Sequence, residues 1–227
     1  MLRTILAVAV VLVSSLSAQS PVSLTTAEEA AGWKLLFDGT SLSGWKGYKT
    51  ATVPAGWTAA DGVLTRSGPG GDLLTAEQYG DFEMRFEWKV PQNGNSGIIY
   101  RIAETEQYPW QTGPEYQVLH NQGHADGKNP ITSAGSNYAV NPPVKDVTKP
   151  VGEWNEARLL VQGNHVEHWL NGVKVVEYEI GSADWEARVK ASKFAKVASY
   201  GRMKRGFIAL QDHGDAVSYR NLKIKPL

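Results

Sequence analysis

The sequence predicts an all-β fold in which two antiparallel sheets pack face to face as a sandwich, together with one short helix. Three observations support this prediction. Residues 82–90 alternate between apolar and charged side chains, which is the period of a half-buried strand. The pair Asn171-Gly172 stands between two extended runs, and both central residues of a type I′ hairpin turn need positive φ. The 23 glycines and 11 prolines fall mostly between such runs, as turns require.

The elements follow in order along the chain. Residues 25–32 are expected to form one helical turn, with Thr25 or Thr26 as its N-cap. The short helix is predicted over residues 184–195, and the loops 108–114 and 121–150 are long enough to be functional or mobile. Besides residues 82–90, strands are predicted over 96–102, 115–120, 154–162, 165–170, 173–179, 206–211 and 216–225. About a dozen short strands in one domain favour a jelly roll of the concanavalin A-like or laminin-G-like kind.

The first 18 residues have the features of a secretory signal peptide. Arg3 gives a positive start, and residues 5–13 are an unbroken apolar run that is too short to span a bilayer. Small residues follow up to Ala18. We therefore expect export to the periplasm or the exterior, one β-sandwich domain over residues 19–227, and no stable insertion into a membrane. A retained N-terminal anchor is the rival interpretation.

Composition excludes several classes of protein. The chain has 23 acidic and 23 basic residues, and this zero net charge argues against a nucleic-acid binder, which needs a basic face. Because there is no cysteine, disulfides, thiolate zinc sites and cysteine nucleophiles are excluded. With 42% hydrophobic residues the chain can build a large core.

An ordinary two-carboxylate glycosidase is disfavoured. Sandwich enzymes of that kind carry two or three carboxylates on one strand face, and the nearest match here is Glu83 and Glu87. Arg85 stands between them, and Lys89 follows. This pattern indicates a solvated strand face with balanced charge.

Other segments could carry chemistry. Glu115 and Gln117 share one side of a predicted strand, where partial burial of Glu115 would suit a general acid or base. His124 and Asp126 follow in the loop and could form a proton relay or two metal ligands, although two side chains do not make a metal site. The alternative for His124 is a solvated loop histidine.

Three more positions have a functional and a structural interpretation. Arg101 is expected to share a strand face with apolar neighbours, so it needs a partner or a ligand, unless it is a surface arginine at a strand end. His213 beside Asp212 lies where sandwich folds display ligand groups, although Asp212 could simply cap an Asx turn. His168 lies on an apolar hairpin face and is interpreted as a hydrogen-bonded core histidine.

Taken in order, these segments resemble the 3-keto-disaccharide hydrolase family. The resemblance covers roughly residues 30–227, and each motif is weak alone whereas the ordered set is specific. One departure is His120, where the family pattern has Asp before Asn121. The matching stretches are residues 33–45, 80–88, 94–101, 115–119, 152–155, 168–172 and 206–227.

The resemblance implies a concanavalin-like jelly roll that acts on glycosides oxidised to a ketone at C3. The ketone acidifies the C2 hydrogen, a base removes it, the C1 substituent leaves by β-elimination, and water adds to the enone. The roles implied are Glu115 or His124 as base, Arg101 or a divalent cation as enolate stabiliser, and His213 with Asp212 as acid. The remaining positions are expected to contact the sugar: Asn95, Gln117, Asp126 and Trp169, with Trp57 and Trp110 as further aromatic contacts.

The alternative is a non-catalytic carbohydrate-binding β-sandwich module. The two hypotheses predict different arrangements of the same side chains, because an enzyme must bring Glu115, Arg101, His124 and His213 into one pocket. A shared fold alone does not decide between them.

Overall fold

The computed structural model describes residues 22–227, and the predicted signal peptide lies outside the described residues. In chain order the strands are β1 (Lys34–Leu35), β2 (Trp45–Gly47), β3 (Trp57–Ala60), β4 (Val63–Arg66), β5 (Leu73–Thr75), β6 (Phe82–Lys89), β7 (Asn95–Ile102), β8 (Glu115–Leu119), β9 (Asn155–Gln162), β10 (His165–Leu170), β11 (Val173–Glu179), β12 (Phe207–Leu210) and β13 (Val217–Pro226). The longer predicted strands are confirmed, with ends that differ by one or two residues.

The strands form two antiparallel sheets, which confirms the predicted sandwich. One sheet has eight strands in the order β11-β10-β9-β6-β13-β4-β3, with β1 paired to β13. The other has five strands in the order β2-β5-β12-β7-β8. Neighbours in both sheets are mostly distant in sequence, as a jelly roll requires.

The main core lies between the sheets and follows from the alternation that predicted the strands. In β6, Phe82, Met84, Phe86 and Trp88 are at most 2% exposed, whereas Arg85 points to solvent. Truncating one such side chain to alanine costs about 2–5 kcal/mol. The five-stranded sheet also buries side chains on its outer face, where loops cover it; this smaller cluster comprises Leu74, Ile99, Ile102 and Ala209.

Local signals in the sequence set the turns and helices. Asn171 and Gly172 have φ values of 47° and 79° and close the β10–β11 hairpin as predicted. The helical turn predicted at residues 25–32 is the helix α1 (Thr26–Ala30), in which Thr25 and Glu28 form a capping box. There are therefore two short α-helices among the described residues, where the fold prediction counted one, and three 3-10 helices at Pro109–Gln111, Ala125–Lys128 and Pro130–Thr132.

The second helix, α2 (Ala183–Ala191), is shorter than the predicted 184–195. It ends because Ser192 leaves the helical conformation and its hydroxyl donates to the carbonyl of Val189 at 2.8 Å. The same hydroxyl accepts the backbone N–H of Phe194 at 3.0 Å. Lys193 consequently lies in a tight turn between Ser192 and the buried ring of Phe194, outside the helix. Within residues 22–227, no helix is both long and apolar enough to cross a membrane.

Candidate functional site

A cavity of about 150 Å³ lies on the outer face of the five-stranded sheet, beneath the loops that cover this face. Strands β7 and β8 and the residue after β12 form its floor, and loop residues form its walls. Its volume is that of about five water molecules. The lining residues are Asn95, Trp110, Glu115, Gln117, Tyr138, Lys193, Gln211 and His213.

Glu115 is the buried acid of this cavity. It pairs with Ile99 on β7 and is 5% exposed. Its carboxylate lies over Gly97, where an added Cβ would come within 2.2 Å of Oε1, so a glycine is needed there. Burial raises the pKa of Glu115 to about 8, while the nearby amine of Lys193 acts in the opposite direction. Glu115 therefore has the environment expected of a proton-transfer group.

Three amide side chains surround Glu115 with unused acceptors. Asn95 and Gln117 are each 1% exposed, and Gln211 is half-buried. The side-chain oxygen of each amide is buried without a hydrogen-bond partner among the described residues. Buried polar atoms are normally paired, so this group is suited to accept hydroxyl protons from a polar ligand such as a sugar.

The loop after β8 places Tyr138 and Asp126 beside Glu115. The backbone N–H of Tyr138 donates to the carbonyl of Glu115 at 3.0 Å. The backbone of Gln117 accepts the N–H of residue 135 and donates to the carbonyl of residue 136, so the loop extends the sheet edge. The Tyr138 hydroxyl donates to Oδ2 of Asp126 at 3.1 Å. Asp126 thus borders the cavity through Tyr138.

Lys193 faces Glu115 from the wall. Although the residue as a whole is exposed, its Nζ lies 4.2 Å from the ring centre of Tyr138, 5.2 Å from that of Phe194 and 5.6 Å from that of Trp110. Partial burial lowers the pKa of Lys193, and the charges of Glu115 and Asp126 oppose this effect. Among the described residues no carboxylate lies within 4.0 Å of Nζ.

Two histidines lie together at the opposite end of the cavity. The ring centres of His124 and His213 are 6.0 Å apart. Nδ1 of His124 accepts the backbone N–H of Asp126 at 3.1 Å. Its Nε2 lies 3.4 Å from the side-chain nitrogen of Asn95. His213 is exposed.

The same histidines belong to a cluster with metal-ligand spacing. One ligand atom each of His124, His213 and Asp215 lie within 4.8 Å of one another. Binding a metal through either ring nitrogen of His124 would break the bond from Asp126. That hydrogen bond therefore competes with a metal at this cluster.

His120, the departure from the family pattern, has a structural role. Its Nδ1 accepts the backbone N–H of Asn93 at 3.1 Å and so fixes the turn before β7. A carboxylate could accept the same N–H, so the exchange of Asp for His is neutral for this turn.

Arg101 was predicted to line the site, and this is wrong. It has φ 52°, and the register of β7 against β12 shifts next to it, so it does not continue the face of Gly97 and Ile99. Its guanidinium donates to the Asp81 carboxylate at 3.0 Å and to the carbonyls of residues 80 and 163. The bulge therefore directs the buried Arg101 side chain into a structural ion pair with the partly exposed Asp81.

Asp212 and Trp169 also lie outside the cavity. Asp212 pairs with Arg66 at 2.7 Å and accepts the backbone N–H groups of residues 71 and 214, which confirms the Asx-turn alternative. Trp169 lies on the other sheet, where its indole N–H donates to Glu167 at 2.8 Å and Arg158 stacks on its ring. It lines a separate cavity of about 500 Å³. Trp57 is 3% exposed and belongs to the core.

The remaining predictions hold to different degrees. Glu115, His213, Asn95 and Gln117 line the cavity, as does Trp110, and His124 and Asp126 border it. His168 is fully buried and its Nδ1 donates to the carbonyl of residue 135 at 3.0 Å, as predicted.

Sequence reasoning missed three lining residues. Tyr138 and Lys193 carried no motif, and Lys193 fell within the helix predicted over residues 184–195. Gln211 adjoins the Asp212-His213 pair and could have been found from its neighbours.

Comparison with known proteins gives a consistent result. Residues 32–225 match the family model of the 3-keto-alpha-glucoside-1,2-lyase-like domain. A 3-keto-disaccharide hydrolase of Bacteroides thetaiotaomicron is 36% identical over 252 residues, covering 97% of this chain and 87% of that protein. A crystal structure from Parabacteroides distasonis, named as a candidate glycosyl hydrolase, has a TM-score of 0.85 at 36% identity and covers 91% of this chain and 99% of that one. A second from the same organism has a TM-score of 0.67 at 27% identity, with 86% and 99% covered.

Proposed function

The chain belongs to the 3-keto-alpha-glucoside-1,2-lyase-like family, and from this premise we propose that it cleaves glycosides whose sugar carries a ketone at C3. The observation that carries the proposal is the cavity around Glu115. A buried carboxyl with a raised pKa faces an amine and three amides with free acceptors, all within one space of about 150 Å³.

The reaction needs three groups in the order of the sugar carbons. A group at the C3 oxygen must stabilise the enolate, a base must remove the proton from C2, and an acid must protonate the leaving oxygen at C1. The cavity supplies candidates in that sequence. Lys193 lies with Trp110, which follows the far end of β7, and with Tyr138. Glu115 lies between, over Gly97. His213 lies with His124, at the Asn95 end of β7.

In this scheme Glu115 is the base. Its raised pKa makes its carboxylate a stronger base than an ordinary glutamate, and Asn95, Gln117 and Gln211 hold the sugar hydroxyls so that C2 faces it. Lys193 stabilises the enolate oxygen at C3, the role that the resemblance implied for Arg101. His213 protonates the C1 oxygen, and water then adds to the enone to complete net hydrolysis.

A non-catalytic carbohydrate-binding module is the alternative. Three of the four residues that discriminate between the hypotheses, Glu115, His213 and His124, line this cavity or border it, whereas Arg101 lies elsewhere. A binding module has no need for a carboxyl with a pKa near 8 in its floor. The cavity therefore favours the enzyme.

The test compares p-nitrophenyl 3-keto-glucoside with plain p-nitrophenyl glucoside. We expect the purified chain to release nitrophenol from the keto substrate alone, equally well with and without a chelator. Glu115→Gln should lower the rate by about 100-fold or more, whereas the exposed control Glu153→Gln should not change it. If wild-type protein binds the keto sugar but releases no nitrophenol, with or without added divalent metal, the binding module replaces the enzyme.

We also propose that the enzyme acts outside the cytoplasm, on the basis of the signal-like residues 1–18. Fractionation of cells that express the full chain should place the processed protein in the periplasm or the medium. A full-length protein in the cytoplasm or held at the membrane would contradict this.

A further inference from the structure

Lys193 has an environment that an enolate stabiliser acting by charge alone does not require. Its Nζ has no carboxylate within 4.0 Å and no hydrogen-bond partner among the described residues. It lies over the ring of Tyr138, and the rings of Phe194 and Trp110 are its next neighbours. An amine held by neither an ion pair nor a hydrogen bond can act as a nucleophile once it loses its proton.

The neighbours of Lys193 fix the position of its backbone. The turn after α2 is closed by the Ser192 hydroxyl, and Phe194 anchors it by stacking on the buried ring of Tyr200 at 3.9 Å. Lys193 lies between these two fixed residues, and its amine lines the same cavity as Glu115. Among the residues that line the cavity, it is the one that bears an amine.

We propose that Lys193 forms an imine with the C3 ketone of the substrate, so that elimination proceeds through a covalent intermediate. The inference rests on the proposed function, because it takes the ketone from the substrate named there. A protonated imine withdraws electrons more strongly than a ketone, so it acidifies the C2 hydrogen further.

Imine formation precedes elimination. Nζ attacks C3, a C–N bond forms, and the carbonyl oxygen leaves as water, giving a protonated imine. The Glu115 carboxylate removes the C2 proton, and the C–H electron pair becomes the C2–C3 double bond of an enamine. As the C1–O bond breaks, that pair forms the C1–C2 double bond, the nitrogen lone pair restores the C3–N double bond of the protonated imine, and the aglycone leaves with a proton from His213. Water hydrolyses the imine, frees Lys193 and restores the C3 ketone as the enone, to which a second water adds at C1.

The experiment traps the imine by reduction. The full chain is incubated with 1,5-anhydro-3-keto-glucitol, which has the C3 ketone but no leaving group at C1, in the presence of cyanoborohydride. Intact mass and peptide mapping should show one adduct per chain at Lys193. The exposed neighbour variant Lys196→Arg should give the same adduct. Lys193→Arg keeps the charge but cannot form an imine, so it should give no adduct and should lower nitrophenol release by about 100-fold or more.

The outcomes separate the two proposals. If wild-type protein releases nitrophenol but gives no adduct at Lys193, or if Lys193→Arg keeps more than a tenth of the rate, the imine is refuted and the proposed function stands. Failure of wild-type protein to release nitrophenol at all would refute the function itself. The trapping result on wild-type protein does not depend on the folding of any variant.

Discussion

Replacing Glu115 by glutamine should make the protein more stable at neutral and alkaline pH while it abolishes catalysis. The side chain is 5% exposed, and its burial raises the pKa from 4.5 to about 8. In the unfolded chain the carboxyl ionises near its ordinary pKa, so between these two values the unfolded state holds fewer protons than the folded state. Burial of this carboxyl therefore costs the wild type no folding free energy below pH 4.5, and the free energy of unfolding falls as the pH rises toward 8. Glutamine has nearly the same shape and no charge to bury.

The size of the effect follows from the shift. One pKa unit corresponds to about 1.4 kcal/mol. The variant should thus gain about 3 kcal/mol at pH 7 and at most about 5 kcal/mol above pH 8, and nothing below pH 4.5. The charged groups that face Glu115 are Lys193, Asp72 and Asp126. Of these, the lysine reduces the gain, because its charge favours the ionised carboxylate of the wild type.

The assay is urea unfolding of wild-type protein and of Glu115→Gln at pH 4.5, 7 and 8.5. The exposed Glu153→Gln serves as a matched control that should show no pH-dependent difference from the wild type. A free-energy difference between Glu115→Gln and wild type that is the same at all three pH values would refute the burial argument. It would also remove the reason to regard Glu115 as the base.

Four further outcomes are expected. The kcat/KM for the keto substrate should rise with pH up to about 8, because the base form of Glu115 accumulates only as the pH approaches its raised pKa; a profile flat from pH 5 to 8 would contradict this. Gly97→Ala should lower kcat at least 10-fold, since its Cβ would come within 2.2 Å of the Glu115 carboxylate; unchanged kcat in a folded variant would show that the carboxylate can move freely. Trp110→Ala should raise KM severalfold whereas Trp169→Ala leaves it unchanged, as only the first lines the cavity; equal effects would place the sugar elsewhere. His120→Ala should cost about 1 kcal/mol of stability in thermal unfolding and His120→Asp less, because the turn at residue 93 needs an acceptor; equal losses would exclude the capping role.

The fold could be predicted because its signals are local. The alternation in β6 and the Asn171-Gly172 turn each fix a strand or hairpin without knowledge of the rest of the chain. The same logic found Glu115 and Gln117, since two polar side chains on one face of an apolar strand are visible in sequence.

The errors arose where the local rule was broken by one residue. At Arg101 a positive φ interrupts the period of two, and nothing in the sequence shows that an arginine will adopt it. The predicted helix included Lys193, but α2 ends at Ala191, because the Ser192 hydroxyl bonds to the carbonyl of Val189 in the preceding turn. A single hydroxyl thereby decides whether the lysine belongs to the helix or to the cavity wall.

The placement of the site on the outer face of a sheet explains why the two strands in its floor are both fully buried. In a sandwich, one face of each strand packs on the core and the other normally meets water. Every residue of β7 and of β8 is nonetheless buried, because the loops that carry Trp110, Tyr138 and Lys193 cover the second face. Covering that face removes water from Glu115 and so raises its pKa. The long loops are therefore what converts an ordinary polar strand into a site able to remove a proton from carbon.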